Sequence, residues 1–232
     1  MNIFALTRCP IESAKQMIDK HVIKMPTESC QMLHTNALFN EFVDRYGYEP
    51  SLKRLKEYHE EIQTVYIGEE GDTTVFSLPS SNLMKPAMLN HPSTVWARKN
   101  IHNTMWLFEH AIALCVEYTN RYGRGFKAHG THSRILSTPI EYDGDSKLAT
   151  PVDIAMADEY RIDNEYDEHC WEYVIDSYRH YYLEGKWKFA SWKQDKMPEW
   201  WPKNHYVNKY NEEIKAFNEQ FGADLKLLRV KV

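Results

Sequence analysis

The stretch IESAKQMIDKHVIKMPTESCQMLHTNALFNEF, residues 11–42, decides the fold. Ile11, Ala14, Ile18 and Val22 recur at helical spacing, Pro10 stands at a first helical position and acidic Glu12 falls in the first turn. The pattern therefore predicts a helix running from about Pro10 to Phe42. Pro26 interrupts it, because proline lacks an N–H and disfavours helical geometry at Met25, so a kink or restart is expected there. On a wheel of about 100° per residue, His21, Lys24, Glu28, Gln31 and Thr35 share one arc, with Val22, Ile23, Cys30, Leu33 and Ala37 broadly opposite. One face reads as buried. The other gathers an acid, a base and a cation, a workable proton-transfer cluster, although a solvated helix face has the same composition.

Working outward, NHPSTVWAR (residues 90–98) opens the next clear helix, with Pro92 at its first position and Asn90 or His91 near the cap. Trp96, Ile101, Met105, Phe108, Ile112, Cys115 and Tyr118 carry its apolar stripe to a stop at Gly123. Free N–H groups at such a start favour an anion such as phosphate, with Asn90, His91 and Arg98 as candidate binders; ordinary capping gives the same pattern. Between these helices, residues 44–87 read as an insertion: a helix through Leu52, Leu55, Tyr58, His59 and Ile62, then a turn-rich loop with a weak hairpin signal at Val65–Ile67 and Thr74–Phe76. Beyond a polar connection from Gly123 to Thr138, TPVDIAMADEY reads as a short helix with Pro151 near its start. A helix over Glu168–Leu183 and an amphipathic one over Tyr206–Phe221, in a tail covering 206–232, complete an all-α single domain of residues 1–232.

Composition narrows the function. A 43% hydrophobic and 13% aromatic content suffices to fill a core, and no apolar run is long enough to span a bilayer. The N-terminal segment lacks the basic start and apolar core of a signal peptide, so the chain is expected in the cytoplasm, with no membrane partner. The net charge of −5 argues against a protein that slides along duplex DNA unaided. Cys9, Cys30, Cys115 and Cys170 form no CxxC pair and read as reduced, mostly buried thiols. His129 and His132 have metal-compatible spacing without a third ligand nearby, so neither a metal nor a cofactor is expected. The aromatics of YRHYY and EWWP could stack on bases or close a core. P-loop, GxGxxG and GxSxG motifs are absent from the sequence.

Three segments, ESAKQMIDKHVIKMPTESCQML, NHPSTVWAR and WLFEHAIALCVEYTNRYG, together resemble the pyrimidine-dimer DNA glycosylases of the endonuclease V type. The resemblance is strongest over residues 1–40 and 88–125 and fainter over 171–201. It implies a compact all-α fold and an N-terminal amine that attacks the sugar C1′ of a damaged pyrimidine nucleotide, forms a Schiff base and cuts the strand by β-elimination. The family's D-x-H-x6-E helix pattern is matched by Asp19, His21 and Glu28, which implies a catalytic Glu28 with His21 beside it. The family nucleophile is the amine of residue 2; here residue 2 is Asn2, and Met1 is the alternative bearer of the amine. Where the family carries phosphate-binding arginines this chain has Thr27 and Gln31, leaving Lys20, Lys24 or Arg8 as compensating cations. The expected activity is a DNA glycosylase/AP lyase on modified or damaged pyrimidines, with DNA as partner. The alternatives are a phage enzyme acting on a free nucleotide, in nucleotide metabolism or DNA hypermodification, and a non-catalytic binder of a nucleotide or host factor.

Overall fold

In the computed structural model the described residues are 2–63, 82–123, 128–140, 148–163, 167 and 169–229, and among them the chain is all-α, with no strand. The helices are α1 (Pro10–Gln16), α2 (Asp19–Tyr46), α3 (Leu52–Gln63), α4 (Pro92–Arg98), α5 (Ile101–Tyr122), α6 (His132–Leu136), α7 (Trp171–Tyr181) and α8 (His205–Phe221). α5 lies at the centre and packs against α1, α2, α4 and α6. Its buried face of Trp106, Leu107, Ala111, Leu114 and Cys115 meets Met17, Ile18, Val22, Met25 and Cys30 in one core. None of the described helices is long and apolar enough to cross a membrane.

The first long helix is divided, but not where proline predicts. α1 ends at Gln16 because Met17 and Ile18 turn extended, with ψ of 144° and 153°. Arg121 of α5, its side chain fully buried, stabilises this break. Its guanidinium donates to the carbonyls of Lys15 and Met17 at 2.8 Å each, satisfying acceptors that a continuing helix would have used. It also pairs with Asp19 at 3.0 Å and Glu117 at 2.7 Å. Asp19 opens α2, where a carboxylate meets the positive helix end, and also accepts from Ser191 Oγ and the Lys193 amide. Pro26, by contrast, sits buried inside an uninterrupted α2. A missing N–H in a 28-residue helix costs one hydrogen bond, and burial of the ring and of Met25 offsets it.

Two further expectations are corrected. The helix from Pro92 to Gly123 is two helices, because Asn100 leaves helical geometry and caps α5 by accepting from the Asn103 amide at 2.9 Å. Asn103 in turn donates to the Trp96 carbonyl at 2.9 Å, closing the end of α4. The segment from Thr150 is not a helix opened by Pro151. It runs irregularly, tied by the Thr150 amide to Asn103 and by the Thr150 hydroxyl to the Trp96 indole, until a 3-10 turn at Asp158–Tyr160.

The extended arm before α1 buries Ile3, Phe4, Ala5 and Leu6, and Ser13 takes the Leu6 amide while donating to the Phe4 carbonyl. α3 packs on the far half of α2 as a satellite core of Leu38, Phe42, Leu55, Tyr58 and Ile62. The hairpin signal at Val65–Ile67 and Thr74–Phe76 lies outside the described residues. α8 buries none of its residues and is held by Lys209 on Glu184 and Lys188 on Glu213. After it the chain folds back, with Asn211 and Asn218 each exchanging a pair of hydrogen bonds with the backbone of Leu228 and Leu225.

Replacing Arg121 by leucine strands the carboxylates of Asp19 and Glu117 in the interior. Such a loss is expected to cost about 3–5 kcal/mol in urea unfolding, with Arg121→Lys intermediate because an ammonium cannot fork to the same partners.

Candidate functional site

The first turns of α2 carry Lys20, His21, Lys24, Glu28 and Gln31. The wheel sets a candidate proton-transfer cluster, or equally a solvated helix face, on one polar arc, and the structure covers both ends of that arc. His21 is only 8% exposed, whereas Ile23, placed on the apolar side, is 44% exposed. The Phe4 ring stacks on His21 at 4.2 Å, and the Tyr182 hydroxyl shares a 2.7 Å hydrogen bond with its Nδ1. Further along, residues 85–87 lie over the helix: Gln31 Nε2 donates to the Lys85 carbonyl, and the Thr35 hydroxyl pairs with both the carbonyl and amide of Ala87. Thr35 is fully buried as a result. Between the covered ends Lys24 and Glu28 remain at the surface, paired at 2.8 Å, with the Lys24 side chain 70% and the Glu28 side chain 15% exposed.

The covered end also holds the beginning of the chain. Asn2 donates from Nδ2 to the Ala155 carbonyl and accepts from the Tyr178 hydroxyl, each at 2.7 Å. Tyr178 meets Phe4 edge-on at 5.7 Å, so Asn2, Tyr178, Phe4, His21 and Tyr182 form one connected cluster. Met1 lies outside the described residues. Tyr182 reaches His21 because α7 runs on into a π-helical turn over Tyr182–Lys186, a wider winding that re-aims side chains. Gly185 in that turn has no room for a side chain: a Cβ there would stand 2.7 Å from the Tyr181 ring.

Burial is the main cause of the electrostatic character of this site. It drives the pKa of His21 down to about 3, and the charges of Lys186 and Lys24 push the same way. Burial likewise raises Tyr182 well above its ordinary value. The His21–Tyr182 pair is therefore a neutral, hydrogen-bonded unit at physiological pH. Cations gather around it: Lys20 lies 4.5 Å over the Phe189 ring and Lys186 4.4 Å over Tyr181.

The NHP element is placed differently from an open anion site. His91 caps α4, its Nδ1 accepting from the Ser93 amide at 3.3 Å. Burial lowers its pKa; the charge of the amino terminus adds to this and Glu28 opposes it. Asn90 is exposed. Arg98 turns away from solvent, donating to the Leu89 carbonyl at 2.6 Å and covering the Phe39 ring at 4.6 Å. His129 donates or accepts at Thr131 and bonds the Ile23 carbonyl, and no group of three metal-ligating side chains occurs among the described residues. Of the cysteines, Cys30 and Cys115 are buried, Cys9 is exposed and Cys170 is half-buried, capping α7. Tyr178 and Tyr182 were read only as members of the aromatic stretch YRHYY, and in the structure they close the core; no sequence signal pointed to Lys186. No protein-family model, curated protein or solved structure matches the chain.

One histidine outside the site shares the electrostatics of His21. His110 on α5 is 1% exposed, stacks on Trp106 at 5.0 Å, and neither ring nitrogen has a hydrogen-bond partner. Burial lowers its pKa to about 3 as well. Both rings bind a proton more readily in the unfolded chain, near the ordinary value of 6.5, than in the fold. Their contribution is thus complete above that value and is lost as pH falls towards about 3. Thermal melts between neutral pH and about pH 4 should show the midpoint falling, and His110→Phe should flatten that fall, as well as raising the midpoint at neutral pH by removing unpaired buried nitrogens.

Proposed function

We propose that the chain is a DNA glycosylase/AP lyase-like enzyme acting on modified or damaged pyrimidine nucleotides through its N-terminal amine and Glu28. The observation that carries this reading is the anchorage of Asn2 by Tyr178 and Ala155 within the cluster that contains His21, on the helix that presents Glu28. Residue 2 and the half-buried Glu28 carboxylate are thereby linked through the packing of Phe4 and Tyr178 around His21 on α2. The resemblance over residues 1–40 and 88–125 supports the same assignment.

An α-amine has a pKa of about 8 and is partly neutral near physiological pH, so it can attack C1′ without a dedicated base. Its lone pair forms the C1′–N bond as the glycosidic bond breaks and the base leaves with a proton. Glu28 protonates the ring oxygen O4′ as the sugar opens to the Schiff base. The conjugate carboxylate then suits removal of a C2′ proton, and β-elimination expels the 3′ phosphate. Glu28 is 15% exposed and contacts Lys24, so water reaches it for proton exchange. His21, neutral and bonded to Tyr182, orients the cluster and donates no charge.

A second reading is favoured by one observation: Arg98 is occupied by the Leu89 carbonyl and the Phe39 ring and Arg8 is paired with Glu172, so of the cations nominated from the sequence only Lys20 and Lys24 remain for phosphate, in a chain of net charge −5. A free nucleotide demands fewer phosphate contacts than a duplex.

The test is borohydride trapping on a duplex with one abasic site, with the N-terminus defined by intact mass. The expected result is a covalent adduct mapped to the terminal amine, with Glu28→Gln reducing strand cleavage by about a hundredfold or more. Absence of an adduct, with saturable binding of a nucleoside monophosphate instead, would select the free-nucleotide reading.

A further inference from the structure

α8 carries a row of aromatic side chains that its own fold leaves in water. Tyr206, Tyr210, Phe217 and Phe221 fall within an arc of about 60° at about 100° per residue, so they share one face of the helix. They are 39–62% exposed, and α8 as a whole buries none of its residues. Within the row the rings associate in two pairs, Tyr206 with Tyr210 at 5.9 Å and Phe217 with Phe221 at 4.7 Å. The row meets the body of the protein at its first turn, where Tyr206 stands edge-on to Trp187 at 5.5 Å.

Both flanks of the row are fixed. On one, Lys209 and Glu213 tie the helix to Glu184 and Lys188. On the other, about a quarter turn round the helix, Asn211 and Asn218 hold the returning backbone at Leu228 and Leu225. Leu225, Leu227 and Leu228 are themselves 41–51% exposed, so the tail widens the apolar surface beside the row. With about half of some 200 Å² exposed at each aromatic residue, and a similar share of each leucine, the patch leaves about 600 Å² in water, the upper end of what a monomer shows. Set against an equal patch it covers about 1,200 Å², the size at which stable, specific interfaces begin.

The spacing selects the partner. The steps along the row are four, seven and four residues, the same read from either end. A two-fold axis between Glu213 and Ile214 therefore lays a second α8 antiparallel on the first, with Tyr206 against the partner's Phe221 and Tyr210 against the partner's Phe217. Each contact then occurs twice, as an isologous interface requires, and Tyr–Phe pairs add offset or edge-to-face attraction to burial. Ile214, half-buried, stands beside the seven-residue gap at the centre. We propose that this face is the interface of a homodimer, in which a second copy of the chain covers the row through an antiparallel α8 pair.

Sedimentation velocity of the full chain, from about 1 to 100 µM, tests the assignment. The expected result is a reversible monomer–dimer equilibrium with a micromolar Kd, as an interface near the lower size limit gives. Phe217→Glu and Tyr210→Lys should each weaken it at least tenfold with unchanged helicity by circular dichroism, since neither side chain is buried. An equal mixture of the two variants should dimerise within about threefold of the wild type. The antiparallel register brings the new carboxylate of one chain to the new ammonium of the other and leaves Tyr210 facing Phe217 at the second pair. A variant that loses helicity is replaced by Phe221→Glu against Tyr206→Lys, which the same register pairs. A wild type that stays monomeric throughout, single variants that dimerise as the wild type does, or a mixture that stays monomeric would each overturn the interface.

Discussion

Everything around the candidate site depends on one buried guanidinium. Arg121 sits on the central helix with its side chain out of solvent, and its donors reach the end of α1, the start of α2 and a carboxylate on its own helix. A cation in that position is stable only while its acceptors are held in place, so the pairing acts in both directions. It ends α1 at Gln16 and starts α2 at Asp19. Through Asp19 it reaches Ser191 and Lys193, which ties the chain following α7 to the first turn of α2. Tyr182 comes to His21 along the same connection, and His21 in turn stacks on the arm that begins the chain. The geometry near the amino terminus is thus set from within the core, by a residue in contact with neither Asn2 nor Glu28.

This dependence also explains which parts of the fold could be read from the chain. α2, α5 and α8 were legible because their apolar spacing is long enough to stand above local noise. The break at Met17–Ile18 was not, since neither residue is a helix breaker and the acceptors released there are satisfied from α5, 104 and 106 residues away. Pro26 misled in the opposite direction: its rule describes a backbone cost, and burial can exceed that cost within a long helix. At Asn100 the capping signal was present but hidden beneath a continuous apolar stripe, and at Pro151 a plausible helix start is overridden by the bonds of Thr150 to Asn103 and Trp96, while Val152 still enters the core. In each instance a tertiary partner overrode a local preference.

The site was legible to a similar depth. Lys24 and Glu28, four residues apart on one helix, do form a pair in contact, as helical geometry requires. His21 shares their arc on the wheel but not their environment, because its covering residues, Phe4 and Tyr182, come from distant parts of the sequence. A periodicity argument treats every position on a face alike and cannot see what is laid over it. The same limit applies to Arg98, which pattern places near a helix start and packing turns onto Leu89 and Phe39.

Covering the two ends of the polar face has a chemical consequence. Where Phe4 and Tyr182 close over α2, water is excluded and the histidine is held neutral, so that end is suited to fixing positions. Where the cover is open, Lys24 and Glu28 meet solvent, and protons can be exchanged. A reaction that uses a terminal amine needs both properties close together: a chain start that stays in register, and a carboxylate that can be reprotonated between steps. His21 and Glu28 are seven residues apart, about 10 Å along the helix, and in the proposed reaction the covered end would hold the chain start while the open end exchanges protons. Packing that closes over His21 and leaves Lys24 and Glu28 at the surface therefore divides the helix into a covered part and a part open to solvent, using nothing beyond the way its neighbours lie.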